Sequence, residues 1–237
     1  MNAAADRNPS VTLINIGTSN LHSVTNALTQ LGASVSIAMH GEEIKNAERL
    51  ILPGVGTFRD GMERLERLGF VGALQQHQKR GTPVLGICLG MQLLFTDGSE
   101  FGPCEGLDLI PGHVRPIPKP ALRRSPVKIP HVGWDQVQIA GFDSGQAHPL
   151  FDGLENNFYA YFLHSFHAQP KDSRAVLASC QYGPHSICAV ARRGSIFGTQ
   201  FHPEKSGALG LRLLANFMNY RATREETENA PDSLSRV

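Results

Sequence analysis

The stretch Pro83-Val84-Leu85-Gly86-Ile87-Cys88-Leu89-Gly90-Met91-Gln92-Leu93-Leu94-Phe95 decides the fold. A short apolar run enters Gly86-Ile87-Cys88-Leu89-Gly90, and an apolar pattern at helical spacing leaves it, so Cys88 falls at the corner between a strand and a helix. Gly-x-Cys-x-Gly is the thiol version of a nucleophile elbow. Small residues two before and two after let the chain turn without Cβ clashes and leave the sulfur exposed. The N-terminus of the following helix is expected to favour thiolate over thiol through its dipole and unpaired N–H groups. A free cysteine elsewhere is a small buried hydrophobe; the flanking glycines set this one apart.

Upstream, the same alternation of strand and helix repeats. Val11 to Ile16 reads as a buried strand, and Gly17-Thr18-Ser19-Asn20 as a turn with N-cap chemistry. Leu21, Val24, Leu28 and Leu31 follow at helical spacing until Gly32 stops them. Strands are expected at Ser34 to Met39 and Arg49 to Leu52, the latter ending in Pro53-Gly54-Val55-Gly56. Helices follow through Met62, Leu65 and Leu68 and again up to Arg80. The fold class is therefore α/β, an open and mostly parallel sheet flanked by helices with its active groups at the carboxyl ends of the strands. Two loops converge there, Pro53 to Gly56 and the Cys88 elbow.

From about Gly98 the texture becomes rich in proline, glycine and short strands. His113 to Ile117, Trp134 to Ile139, Phe158 to Leu163, Ala175 to Tyr182, Ser186 to Ala191 and Ser195 to Phe201 read as strands joined by turns. No linker-like stretch intervenes, so this half is expected to extend the same domain as a mixed or antiparallel sheet. Proline-rich, basic Pro116 to Pro130 is the best candidate for an exposed loop, and Ala208 to Tyr220 is a closing amphipathic helix. The expected organisation is a flexible segment over 1–10, one domain over 11–220 and a disordered tail over 221–237.

The 237 residues, 41% hydrophobic and 18% charged, can bury a sizeable core. A formal net charge of +1 argues against a nucleic-acid or membrane-surface footprint. The polar N-terminus and the lack of a long apolar run point to a cytoplasmic protein. Cys88, Cys104, Cys180 and Cys188 form no CxxC pair, so neither a disulfide framework nor a structural zinc is expected.

A nucleophilic thiol needs a base, and the base an orienting group. The strand ending in His202-Pro203-Glu204 can supply both. In extended chain, residues two apart project to one side, so Glu204 can orient His202 toward Cys88 in a Cys-His-Glu triad. As an isolated pair, His-x-Glu is more often a surface feature. His164 and His167, with His202, lack the spacing of a zinc site, and His113, His131 and His148 read as structural. Gly54 and Gly56 serve either a tight turn or an N–H aimed at an oxyanion.

Together, Gly86 to Gln92, Pro53 to Gly56 and Gln200-Phe201-His202-Pro203-Glu204-Lys205-Ser206 resemble a class I, triad-type glutamine amidotransferase domain. Pro130-His131-Val132-Gly133-Trp134 and Tyr161-Phe162-Leu163-His164-Ser165 resemble the glutaminase subunits of imidazole glycerol phosphate synthases. The match runs from about Val11 to Tyr220. It implies Cys88 as nucleophile, His202 as general acid/base and Glu204 as its orienter. Gly54, Gln92 and the backbone around Ser165-Phe166 would hold L-glutamine, and backbone N–H groups of Leu89 and the Gly54-Val55 region the oxyanion. Asn20, Trp134, Tyr161 and Lys205 match positions that face the synthase subunit. Two departures stand out: Asn15-Ile16-Gly17 where Asp-Tyr-Gly is frequent, and Phe166 where Tyr is frequent.

The resemblance further implies a heterodimer with a (β/α)₈-barrel synthase that receives ammonia, with no metal, no cofactor, no nucleic acid and no membrane. The chain carries no glycine-rich phosphate loop, consistent with a separate partner holding the nucleotide substrate. Three other readings stay open: a glutaminase for another synthase, a cysteine hydrolase on the same elbow, and a binding module that keeps the fold.

Overall fold

The computed structural model describes residues 8–17, 20–118 and 127–221. In chain order, β1 (Ser10–Ile14), α1 (Leu21–Gln30), β2 (Ser34–Ala38), β3 (Leu50–Gly54), α2 (Phe58–Arg67), α3 (Phe70–Lys79), β4 (Val84–Cys88) and α4 (Leu89–Leu93) form the first half. Then come β5 (Phe95–Gly98), β6 (Cys104–Glu105), β7 (Ile110–Pro116), β8 (His131–Ile139), β9 (Phe158–His164), β10 (Phe166–Pro170), β11 (Val176–Tyr182), β12 (His185–Arg193), β13 (Ile196–Thr199) and α5 (Gly207–Asn219).

Nine strands form the main sheet in the order β2-β1-β3-β4-β13-β12-β11-β8-β9. The first five are parallel and the rest antiparallel, so the expected parallel sheet with an antiparallel extension is what forms. The parallel strands are near-continuous apolar runs because both faces are covered. Leu50 and Leu52 of β3 pack on one side and Ile51 on the other. On one face lie Val24 and Leu28 of α1 with Leu213, Leu214 and Phe217 of α5; on the other, Phe58, Met62 and Leu65 of α2 with Phe70 and Leu74 of α3.

Local chemistry sets the helix ends. Asn20 caps α1 by accepting from Ser23 N at 3.4 Å, and Thr57 caps α2 by accepting from Asp60 N at 3.4 Å. Gly32, at φ +80°, reverses the chain after α1.

Three differences from the sequence reading have physical causes. The helix after Cys88 stops at Leu93, because the Leu93, Leu94 and Phe95 carbonyls accept from Leu107, Leu109 and Asp108 instead of from a next helical turn. Those bonds start a second sheet, β10-β7-β5-β6, which the sequence did not announce; β6 has two residues, and β5 contains Asp97 and Gly98. β7 begins at Ile110 and β8 at His131, earlier than their apolar alternation suggests. The second sheet shares the core on the α2 and α3 side through Phe95, Val114 and Ala168.

The expected flexible and disordered ends fall mostly on residues 1–7 and 222–237, outside the described residues, as does 119–126 of the proline-rich loop. The flanks of that loop, Ile117 and Val127, are buried. Among the described residues, no helix is long and apolar enough to cross a membrane.

Candidate active site

Cys88 ends β4 at φ 56°, ψ −110°, a conformation that costs a non-glycine residue on the order of 1–3 kcal/mol. Close backbone approach on both sides holds it there. A Cβ on Gly86 would lie 2.5 Å from the Gly90 carbonyl oxygen, and one on Gly90 would lie 1.8 Å from that of Leu52. The glycines thus serve contact, and the cysteine itself takes the left-handed backbone. The residue is only 6% exposed and lines a cavity of about 240 Å³, its thiol donating to the Leu163 carbonyl at 3.6 Å. With five residues, α4 offers less of a dipole than the sequence reading supposed.

The opposing charge comes from β13, which pairs parallel with β4 and so delivers His202 to the same end of the sheet. β13 stops at Thr199 rather than Phe201, and Glu204 lies in a 3₁₀ turn, Pro203–Lys205. The two side chains therefore meet because the turn closes, not because one extended strand aligns them. Glu204 Oε1 accepts from His202 Nδ1 at 2.9 Å, with both side chains almost fully buried. The His202 backbone N–H donates to Tyr161 and its carbonyl accepts from Ser206, which fixes the ring from both sides. Burial opposes charge on His202, but interactions with Cys88 and then Glu204 outweigh it and raise its pKa to about 9. Near neutrality the cavity thus holds an imidazolium beside the thiol.

Val55, Leu89, Gln92, Ser165 and Phe166 line the cavity with Cys88 and His202. Gly54 lies beside Cys88 in register, and a Cβ there would press on Gly90 N at 3.1 Å. Gln92 Nε2 donates to the Phe166 carbonyl at 2.9 Å and to Gln200 Oε1 at 3.1 Å. Phe166 thus contributes its backbone, so a missing hydroxyl there leaves this bond intact. Asn15 Oδ1 accepts from Gly17 N at 2.8 Å, and Ile16 is buried. Gln200, with its Nε2 4.0 Å from Cys88 Sγ, and Glu100 on the cavity wall were not singled out by sequence. The position of Gln200 two before His202 was the one available signal.

Trp134 is 52% exposed and meets Tyr161 edge to face at 6.1 Å, while Lys205 Nζ lies 5.9 Å from the Tyr161 ring. Asn20 is exposed at the start of α1, which packs against the Pro203–Lys205 turn. Among the described residues, ligand atoms of His131, Asp135 and Cys180 lie within 4.8 Å of one another. Burial pushes the Cys180 thiol up to about 12, and His131 is already hydrogen-bonded to Asp135, so this group is a poor metal site.

The buried histidines make an acid limb in stability. Burial pushes His164 down to about 3, and it also lowers His77, His131 and His167. A base whose pKa falls on folding stabilises fully above the ordinary value of 6.5, and its contribution is withdrawn as pH falls toward 3. At pH 5 the loss from His164 alone is about 2 kcal/mol. His202 acts oppositely, its contribution complete below 6.5 and lost as pH rises through 9. Urea midpoints should therefore drop on acidification below about pH 6.5, and His164→Gln should shrink that drop.

A nucleophile-elbow cysteine facing a carboxylate-bound histidine on an α/β sheet is the arrangement of a thiol amidohydrolase. The chain belongs to the class I glutamine amidotransferase family, whose model matches residues 12–220. Within it, the chain belongs with the HisH subunits of imidazole glycerol phosphate synthase. It is 43% identical to that of Methanosarcina barkeri over 210 residues, 88% of this chain and 98% of the relative. With the Syntrophotalea carbinolica subunit it shares 41% over 208 residues, 87% and 98% of the two chains. Among solved structures, PurLQS from Thermotoga maritima superposes with a TM-score of 0.68 at 18% identity, covering 90% of this chain and 99% of that one. That likeness concerns the fold alone.

Proposed function

We propose that this chain is the glutaminase subunit of an imidazole glycerol phosphate synthase, with Cys88, His202 and Glu204 as its catalytic triad. The observation that carries the reading is the buried His202 imidazole, held by Glu204 through Nδ1, with its Nε2 buried and without a hydrogen-bond partner among the described residues, in the same cavity that Cys88 lines. The Cys88 thiolate attacks the side-chain carboxamide carbon of L-glutamine. Backbone N–H groups of Leu89 and the Gly54-Val55 region stabilise the oxyanion. The imidazolium of His202 protonates the departing nitrogen as ammonia leaves, giving a glutamyl thioester. Water then attacks the thioester, His202 takes its proton, and glutamate departs as the thiolate is restored.

Ammonia released into neutral water would be protonated and lose its nucleophilicity, so the product must pass dry to a second protein. That partner is a (β/α)₈-barrel synthase subunit, docked on the face that carries Asn20, Trp134, Tyr161 and Lys205. A cytoplasmic heterodimer fits four cysteines that are all free in the structure.

Glutamate release from glutamine, measured for the chain alone and with the barrel synthase and its ribonucleotide ligand, tests the reading. A large rise that requires partner and ligand supports it; unchanged low activity with both present rejects the partner. Glu204→Gln should lower kcat by about 10²–10⁴-fold with little change in KM, because it unsettles the His202 tautomer and its positive charge. A loss below tenfold would remove Glu204 from the triad.

A further inference from the structure

A hydrogen-bonded chain leads from the partly exposed Asp135 on β8, next to the edge strand of the main sheet, through two buried histidines to the cavity wall, and the triad chemistry does not use it. Asp135 Oδ2 lies 2.9 Å from His131 Nε2, His131 Nδ1 lies 3.1 Å from His164 Nε2, and His164 Nδ1 lies 2.8 Å from the Phe166 carbonyl oxygen. That same carbonyl accepts from Gln92 on the cavity wall. β8 and β9 are paired so that His131 stands opposite His164, while Trp134 points to the outer face of β8. His131 is clamped between the rings of Phe162 and Tyr182, at 4.7 and 3.9 Å, which fixes the plane in which it can bond.

We propose that Asp135 and His131 are positioning residues for the Ser165-Phe166 corner, acting through His164 on the carbonyl that holds Gln92. The proposal rests on the cavity being the glutamine site. Its chemistry follows from counting protons. The Phe166 carbonyl only accepts, so His164 Nδ1 donates to it and His164 Nε2 accepts from His131 Nδ1. The Asp135 carboxylate also accepts, so His131 Nε2 must donate as well. Three bonds need three protons, and two neutral imidazoles carry two. The chain is complete only while His131 is an imidazolium.

The surroundings decide when that proton leaves. His131 faces Asp135 on its own strand, His164 on β9, and Cys180 and Tyr182 on β11; the Tyr182 hydroxyl donates to the Lys128 carbonyl. Beyond His164 stand His167 and His202, which add to its reluctance to charge. Burial works against the His131 charge more strongly than Asp135 supports it. Near neutrality His131 keeps its remaining proton on the carboxylate side, and the link to His164 opens. An amide at position 135 changes this: its Nδ2–H donates to His131 Nε2, and two neutral rings then complete the chain at every pH.

Two measurements test this. In histidine-¹⁵N-labelled protein without glutamine, ring-nitrogen shifts are read at about pH 7.5 and at the lowest pH at which the protein stays folded. The wild type should show both His131 nitrogens protonated at the acid end and the His131 to His164 bond lost near neutrality. Asp135→Asn should keep that bond at both pH values. An unchanging His131 in the wild type, or loss of the bond in the variant, overturns the proposal. In the synthase complex, Asp135→Asn should lower KM for glutamine roughly 2–10-fold near neutrality, with kcat within about twofold and the difference vanishing at the acid end. Equal KM values throughout, or a change confined to kcat, would also overturn it. If the wild-type complex turns over no glutamine, the functional reading fails instead, and the ring-nitrogen shifts judge the proton count alone.

Discussion

Cys88→Ala is expected to abolish glutamine hydrolysis, with a loss on the order of 10⁴-fold or more in kcat for the synthase complex. No other thiol can take over. Burial pushes Cys180 and Cys188 up to about 12 and also raises Cys104, whereas Cys88 alone faces an imidazolium. The fold should survive, because the thiol makes two long bonds, to the Leu163 carbonyl at 3.6 Å and from Gln200 Nε2 at 4.0 Å, and alanine meets the same backbone strain as cysteine at φ 56°. Glutamate release and an isothermal titration of glutamine into the variant complex separate the two effects. Retention of even a tenth of the activity would reject Cys88 as the nucleophile, as would a Cys188→Ala variant as impaired as Cys88→Ala.

Gly90→Ala should cost more stability than the same change at any other glycine of this protein. The new Cβ would sit 1.8 Å from the Leu52 carbonyl oxygen and 2.8 Å from its carbon, and these are backbone atoms of a central strand. No side-chain rotation relieves such a clash, so β3 and the start of α4 must separate. A loss on the order of 4 kcal/mol or more is expected, enough to unfold a marginal domain. Gly32→Ala is the control: nothing lies within 4 Å of its Cβ, and only the φ of +80° opposes it, at about 1 kcal/mol. Urea unfolding of both variants measures the contrast. Equal, small losses would mean that the elbow is looser than its contacts indicate.

The parallel half of the fold was legible in sequence because its signals are local. Val11 to Ile14, Leu50 to Leu52 and Val84 to Ile87 are apolar runs too short for helices, and Asn20, Thr57 and Gly32 mark where helices begin and end. The second sheet was legible only in β7, read as His113 to Ile117. Its strands are two to seven residues long with polar and glycine positions, and they exist because Leu107 to Ile110 supply N–H donors to carbonyls just past α4. In the cavity, Gly-x-Cys-x-Gly and His-Pro-Glu were visible as motifs; Gln200 stood in the same stretch as His202 but had no role there, since its partner Gln92 lies 108 residues away. His131 was read as a structural residue beside a turn, because nothing in its neighbourhood names His164 as a partner 33 residues on.

The sequence by itself determined the class of the sheet, the elbow, and the residue types needed for thiol chemistry, since periodicity, capping and steric demand act within a few residues. Only the tertiary structure decided that His202 reaches Cys88, that Gln92 is held by Phe166, and that Asp135 is wired to the cavity. Each depends on β13 lying beside β4, or β9 beside β8, and strand pairing across long stretches of chain is set by how the whole core closes rather than by any local segment.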